Sequence, residues 1–408
     1  MAKAPATPVG ALAKARAYAR DKKKEEFDNV RVKLSQNDLQ EPLPHVPSGS
    51  IVINHLIGGL QNQFGVAPCP GWPRGRVSQI WGHEGSGKTT LALCAAAQVC
   101  RSGGSVLYID WENDIVPDYA MSLGVPITDE DRFELLQPDT LEDGIKYAMV
   151  YAASGVDLIV FDSVGAAIPR RLAEREANEA AEQGKVGEVQ VIWSQELPNI
   201  KRVIARSGTA VIGISQIRAE IGKMGHGPST KPQGGNAWKF FSSVRLELRR
   251  VQYESAKAMN ALTHKVEDKV SGTVVKVKAV KCKMSRSQGN EEIFYLRGGQ
   301  GVDDIRSILE IAIAHGIIKK AGAGWFTWVK PDGSAVKLQG IEKLRAHMVE
   351  QPSDYALVSS LVLPLLGSGK SAQQFVEDED YEPVVGEDEP ATGELSLDEA
   401  LGPDVFDN

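Results

Sequence analysis

Between residues 49 and 300 the chain alternates short apolar, β-branched runs with longer segments of helical period. The runs are Val77 to Trp81, Ser105 to Asp110, Leu158 to Asp162, Thr209 to Ser215, Ser243 to Arg250 and Thr273 to Lys283, and helical segments follow the first three. Parallel strands need a crossover between them, so this alternation predicts an α/β fold around a doubly wound, mostly parallel twisted sheet. The last two runs stand close together without a helix between them, which predicts a more antiparallel end. Residues 301–366 read as a small C-terminal α/β domain, from "DDIRSILEIAIAHGIIKK" through "GWFTWVKPDGSAVKL" to a last helix near 340–350. Residues 1–48 are expected to form an N-terminal helical arm, with a thin apolar stripe through Leu12, Ala15 and Ala19 that suits a solvated helix or an oligomerisation contact. Residues 367–408 combine low hydrophobicity with unbalanced charge, the composition of a disordered acidic tail.

Charge changes the picture in one respect. The formal net charge is −7, but residues 371–408 hold thirteen acidic residues and no basic one, which leaves +6 on residues 1–370. An overall acidic balance therefore does not argue against a polyanionic partner for the folded part. No apolar run approaches the ~20 residues of a membrane helix, and the first residues lack the apolar centre of a secretory signal. The expectation is a soluble, cytoplasmic protein with no membrane partner, in the host cytoplasm if the chain is viral. Cys69, Cys94, Cys100 and Cys282 make no C-x-x-C pair and suggest neither zinc nor a disulfide framework.

The first β-like run enters "GHEGSGKTT", where Gly82, Gly87, Lys88 and Thr89 fit the phosphate-loop pattern with a strand before it and a helix after it. Glycine backbone lets N–H groups turn inward on phosphates, and the helix N-terminus adds partial positive charge. Lys88 would reach the β- and γ-phosphates of ATP, and the Thr89 hydroxyl would ligate Mg2+. A second Gly-Ser-Gly-Lys-Ser, at 367–371, has Pro364 where the first glycine should stand and reads as a linker. "VDLIVFDSV" ends a buried run in Asp162, placed to hold Mg2+ through water. "SVLYIDWEN" puts Glu112 just past a strand end, at the mouth where open α/β sheets hold ligands. A glutamate there can orient and deprotonate water, although a solvated loop acid has the same spacing. A small-molecule kinase would bring a lid with clustered arginines, and none stands between the phosphate loop and Asp162. The strand from Ala210 to Ser215 ends in Gln216 and leads into a glycine- and proline-punctuated loop to Gly235, with Arg218, Lys223, His226 and Lys231. That composition suits a phosphate backbone as well as it suits a plain charged surface loop.

Together these features resemble the RecA family of DNA strand-exchange recombinases, in a divergent form that would suit a phage-encoded member, over residues 47 to 345. The resemblance is carried by "GHEGSGKTT", "YIDWEN" with "PDYAMSLGV", "QPDT", "DLIVFDSVGAAIP", "SQIRAEIG", "GGNAWKFFSSVRLELRR" and "KVKAVKCKM". It implies a P-loop ATPase core over 49–300 and a DNA-dependent ATPase that filaments on single-stranded DNA and exchanges strands with a duplex, in DNA recombination and repair. It further implies a homo-oligomeric helical filament, single-strand-binding and loader proteins as partners, and ATP with Mg2+ as cofactors. By resemblance Gly82, Glu84, Gly85, Ser86, Gly87, Lys88, Thr89, Thr90 and Asp162 match the nucleotide and metal site, Tyr119 the adenine stack and Glu112 the catalytic glutamate. Gln216 matches the γ-phosphate contact that opens the second DNA loop, whose best-matched members are Arg218, Lys223, Met224, Gly234, Gly235 and Asn236. The first DNA loop falls near 171–190, with Val186 and Gly187 as its apolar wedge. Lys281 and Lys283, two apart and so on one face of a strand, match lysines that reach the neighbour's ATP, and Phe240 matches a subunit contact. Val116 stands where the family has an acid, and "QNQFGVAPCPGW" is an insertion. Two other readings use the same core: a ring-forming helicase or repair ATPase, and a non-catalytic nucleotide-switched assembly protein in which Glu112 is idle.

Overall fold

The computed structural model describes residues 40–59, 61–174, 182–219, 230–259 and 266–367. The N-terminal arm through residue 39, Lys223, Met224, His226 and the tail beyond Gly367 lie outside them, as do the side chains of Val186, Arg218 and Lys231. In chain order the first elements are β1 (His45–Val46), α1 (Ile51–Gly58), β2 (Trp72–Pro73), β3 (Val77–Gly82), α2 (Lys88–Arg101), β4 (Val106–Asp110) and α3 (Pro117–Ser122). Next come β5 (Phe133–Leu136), α4 (Leu141–Ala153), β6 (Leu158–Asp162), α5 (Arg170–Ala173), α6 (Glu182–Ser207), β7 (Ala210–Ala219), β8 (Thr230–Pro232) and α7 (Asn236–Phe241). The chain continues through β9 (Val244–Met259), β10 (Val266–Cys282), β11 (Glu291–Arg297), β12 (Gly301–Val302) and α8 (Asp304–Ala314). It closes with β13 (Ile318–Ala321), β14 (Trp325–Val329), β15 (Ala335–Gln339), α9 (Ile341–Glu350) and α10 (Pro352–Val362).

A ten-stranded sheet organises the core in the order β12-β11-β10-β9-β3-β7-β6-β4-β5, with β8 paired to β7. Neighbours from β9 to β5 are parallel, and β9 to β12 are antiparallel, the mixed sheet that the alternation predicts. The central strands are buried along their whole length because helices cover both faces. One face packs on α1 and α2, and that apolar cluster continues without a break into α8, β14 and α10. The other packs on α4, α6 and α7 through Phe161, Trp193 and Trp238. Local chemistry sets the helix starts. The Ser50 hydroxyl accepts from the Ile53 amide, Thr140 from that of Asp143, and the Asp303 carboxylate from that of Arg306.

Several expectations need correction. Residues 182–207 are helix, so Val186 and Gly187 sit in α6 and the stretch 171–190 is not one loop. Strand β7 does not end at Gln216 but runs on to Ala219, and β8 returns beside it in antiparallel register. Lys283 stands one residue past β10, so of the two lysines only Lys281 lies on the strand itself. Edge strand β5 and the second closing helix α10 escaped the pattern, the first because four residues show no clear period, the second because Pro352 reads as a stop. The insertion is partly core: Cys69 and Trp72 are fully buried, and Trp72 pairs with Val46 in a short ladder.

Candidate nucleotide site

Register places the chemistry. Gly82 pairs with Gln216 across β3 and β7, and Asp110 pairs with Asp162 across β4 and β6, so the carboxyl-terminal ends of β3, β4 and β6 meet Gln216 of β7 at one edge. Open parallel sheets hold ligands there. Between β3 and α2 the chain turns through Gly85 (φ 70) and Gly87 (φ 85), left-handed backbone that a side chain would strain. Gly82 is constrained differently: a Cβ there would stand 2.1 Å from the Leu248 carbonyl oxygen. The turn delivers the start of α2, whose first amides have no intrahelical partner, to a cavity of about 230 Å3.

Glu84, Gly85, Gly87, Lys88, Thr89, Thr90, Glu112, Asp114, Asp162, Ile214 and Gln216 line that cavity. Its one lining cation among the described residues, Lys88, is buried and donates from Nζ to the Gly82 and His83 carbonyls at 3.0 and 2.7 Å. Burial pushes the ammonium below its usual range, against the pull of Asp162, Glu112 and Glu84. Asp162 Oδ2 accepts from the Thr89 hydroxyl (2.8 Å) and from the Tyr108 hydroxyl (2.7 Å). Its carboxyl is pushed up to about 6 by burial, with those two hydrogen bonds holding it down. Thr89 donates its proton to Asp162 and so keeps its oxygen lone pairs for a cation, a donor set that fits magnesium shared with phosphate and water. Among the described residues no cluster of three or more acidic, His or Cys side chains offers a metal site by itself.

Glu112 is held from below. The Asp110 carboxylate accepts from the amides of Glu112 (3.0 Å), Asn113 (2.9 Å) and Ile115 (3.3 Å) and from Gln137 Nε2 (3.2 Å), which ties the turn after β4 to its strand end. Above it, Gln216 Nε2 donates to both Glu112 oxygens at 2.9 and 3.0 Å. Tyr119 lies outside the cavity lining, and its hydroxyl shares a 2.7 Å hydrogen bond with that of Thr90. Ser86 and Gly82 support the turn without lining the cavity.

The remaining candidates among the described residues do not converge on this cavity. Lys281 Nζ donates to the Lys239 and Phe240 carbonyls at the end of α7, 2.8 and 3.1 Å away. Partial burial, then the charges of Lys283, Arg245, Lys201 and Lys239, bring its pKa down to about 8. Phe240 beside it is 67% exposed. Gly234 and Gly235 (φ 97 and 78) lead into α7 at Asn236, and Gly187 lies on α6. Sequence reasoning missed Tyr108, which was read only as part of a strand, and the anchoring role of Asp110. It also missed a buried chain in which Arg245 Nε donates to Gln79 Oε1 and Gln79 Nε2 to Ser215 Oγ, both at 2.8 Å. Polar residues inside an apolar strand were the available signal.

A phosphate-loop α/β protein, with a carboxylate, a glutamine and a second strand-end acid around the loop, is the class that this fold and site define. The family model for the RecA N-terminal domain matches residues 17–302. A protein RecA of a Nocardioides strain is 34% identical over 362 residues, covering 88% of this chain and 93% of its own. One of Lactobacillus delbrueckii subsp. bulgaricus is 34% identical over 378 residues (90% and 93%), and one of Salinispora tropica 36% over 330 (80% and 84%). The chain belongs to the RecA family.

Proposed function

We propose that this protein is a DNA-dependent ATPase that assembles on single-stranded DNA as a helical filament, with ATP at its subunit interfaces, and exchanges strands with a homologous duplex. The observation that carries this reading is the contact of Gln216 with Glu112. It ties the candidate base to β7, the strand that runs into residues 220–229, so one side chain belongs both to the cavity and to the candidate DNA segment.

Glu112 is the base that orients and deprotonates water, and Asp110 fixes its backbone. Gln216 has two acceptors to choose between, Glu112 and the γ-phosphate. With nucleotide bound, its amide turns to phosphate and leaves Glu112 free for water. Lys88 leaves two carbonyls for the β- and γ-phosphates, where an ammonium regains a full charge partner. Thr89, and Asp162 through water, would hold magnesium, which would neutralise phosphate charge there. Tyr119 offers its ring to adenine. Lys281, Lys283 and the exposed Phe240 form a cationic, apolar-edged face for the next subunit, whose γ-phosphate would take the place that α7 carbonyls fill at Lys281. Arg218, Lys223, Met224, Gly234, Gly235 and Asn236 contact DNA in this reading, with Val186 and Gly187 on α6 as a second contact.

The test is ATP turnover and strand exchange, with and without single-stranded DNA, for wild type and Glu112→Gln. DNA should stimulate wild-type turnover, and the variant should bind ATP but lose roughly 100-fold or more in kcat. Turnover indifferent to DNA would sink the recombinase reading. Electron microscopy with an ATP analogue distinguishes a helical coat on DNA from the closed ring of a helicase.

A further inference from the structure

Four aromatic rings run from the strand ends beside the cavity to α6 and α7, the helices that come after residues 175–181 and 220–229 in the chain. Trp111, directly before Glu112, stacks on Phe161, directly before Asp162, with centroids 5.6 Å apart and planes 9° apart. Both meet Trp193 of α6 edge-on, at 6.3 and 5.4 Å. Trp193 meets Trp238 of α7 edge-on at 5.0 Å, and Phe161 meets Trp238 at 6.2 Å. Offset stacks and T-shaped contacts at these separations are the favourable geometries of aromatic quadrupoles.

The surroundings are shaped to these rings. A Cβ at Gly144 of α4 would stand 2.2 Å from Trp111 Cζ2, and one at Gly213 of β7 would stand 2.3 Å from Trp238 Cζ3. Two indoles are thus admitted by two glycines on different elements. Trp193 Nε1 donates to the Val164 carbonyl at 2.9 Å, two residues past Asp162. Trp238 Nε1 is buried with no partner among the described residues, so shape rather than a polar bond fixes that ring. The approach to α7 is packed on the same unit: a Cβ on Gly234 would meet Val164, and one on Gly235 would meet Gln190 of α6.

We propose that Trp111, Phe161, Trp193 and Trp238 form a packed aromatic link that sets the position of Glu112 according to the placement of α6 and α7. This rests on the ATPase reading above and deepens it. None of the four reaches the cavity lining, so they are positioning residues. Close-packed rings do not deform continuously, so a shift of α6 or α7 must be taken up by repacking at Trp111, one residue from the candidate base.

Trp238→Leu is the discriminating variant, with Trp72→Leu as its control, since Trp72 is as deeply buried but packs on the opposite face of the sheet. Stimulation of ATP turnover by oligothymidylate should fall roughly 2- to 30-fold in Trp238→Leu, with DNA-free turnover within about twofold of wild type. The control should lose stability but keep its stimulation. Trp111→Phe, at the less buried end of the link, retains a ring and should keep more stimulation than Trp111→Ala, and these two carry the comparison if Trp238→Leu does not fold. A non-hydrolysable ATP analogue without DNA should alter the exciton couplet of the closely spaced indoles in circular dichroism, and Trp193→Phe should abolish that response. Stimulation unchanged in Trp238→Leu, or reduced equally in Trp72→Leu, overturns the link. Wild-type turnover indifferent to DNA refutes the ATPase reading instead, and the couplet's response to nucleotide then decides for or against the link.

Discussion

Gly213 is where the packing against Trp238 can be measured. A methyl at this buried β7 position would lie 2.3 Å from Cζ3 and 2.4 Å from Cη2 of Trp238. Carbon atoms rest at ~3.5–4.0 Å, so ring or strand must yield by more than about 1 Å. The ring has nowhere easy to go, since Phe161 and Trp193 press on it edge-on. The strand is held in parallel register by β3 and β6 on either side. Gly213→Ala should therefore cost about 3 kcal/mol, the upper end for overpacking, even though alanine is better suited to a strand than glycine is. Trp238→Leu alone removes ring contacts and should cost about 2–3 kcal/mol, less than truncation to alanine. In the double variant the leucine leaves room for the methyl, so the combined loss should stay near that of Trp238→Leu. A cycle of urea unfolding measurements should give a coupling of about 2 kcal/mol or more in favour of the pair. Additive losses would refute the argument, because they would mean that the strain at residue 213 is taken up somewhere other than the indole.

Asp110→Asn should displace Glu112, since a neutral amide accepts more weakly from the three turn amides and turns a donor toward another donor. We expect a loss of about 1–3 kcal/mol in stability and a fall in kcat with little change in ATP affinity, by equilibrium unfolding and steady-state kinetics. Lys281 has a folded pKa of about 8 against an ordinary 10.5, so between those values the unfolded chain binds more protons. Stability should accordingly rise as pH climbs through that window, and Lys281→Met should flatten the rise in urea titrations. The role proposed for it toward a neighbour's phosphate needs the charged form, so on that reading DNA-stimulated turnover should fall above about pH 8, and Lys281→Arg should carry it to higher pH. Deleting residues 371–408, with thirteen acidic side chains, should strengthen duplex binding at moderate salt, and unchanged binding would refute a competing role for that segment.

The legible part of the site is the part built from contiguous residues. The glycine turn at 82–87, Lys88 and Thr89 could be read directly, because backbone freedom and a helix start are local properties. Asp162 and Glu112 were legible as strand-end acids, but their partners were not. Tyr108 bonds Asp162 from 54 positions away, and Gln216 reaches Glu112 from 104 away. Such pairings depend on strand order, which apolar periodicity does not encode. Reading α6 as part of a loop failed for a related reason. Its sequence, "EQGKVGEVQVIWSQELPNIKRVIARS", carries two glycines and Pro198, each a local argument against helix, yet burial of Val189, Trp193, Leu197, Ile200 and Ile204 against the sheet outweighs them.

By itself the sequence determined the phosphate loop, the alternation that makes a mostly parallel sheet and the charge asymmetry of the two ends, since each follows from neighbouring residues or from composition. Tertiary structure alone decided that Gly82 stands beside Gln216 and Asp110 beside Asp162, and that Lys88 rests on carbonyls. It also brought together four rings spread over residues 111 to 238. Those facts come from the order and register of strands, which arise when a whole chain buries both faces of one sheet, and no single window of residues holds them.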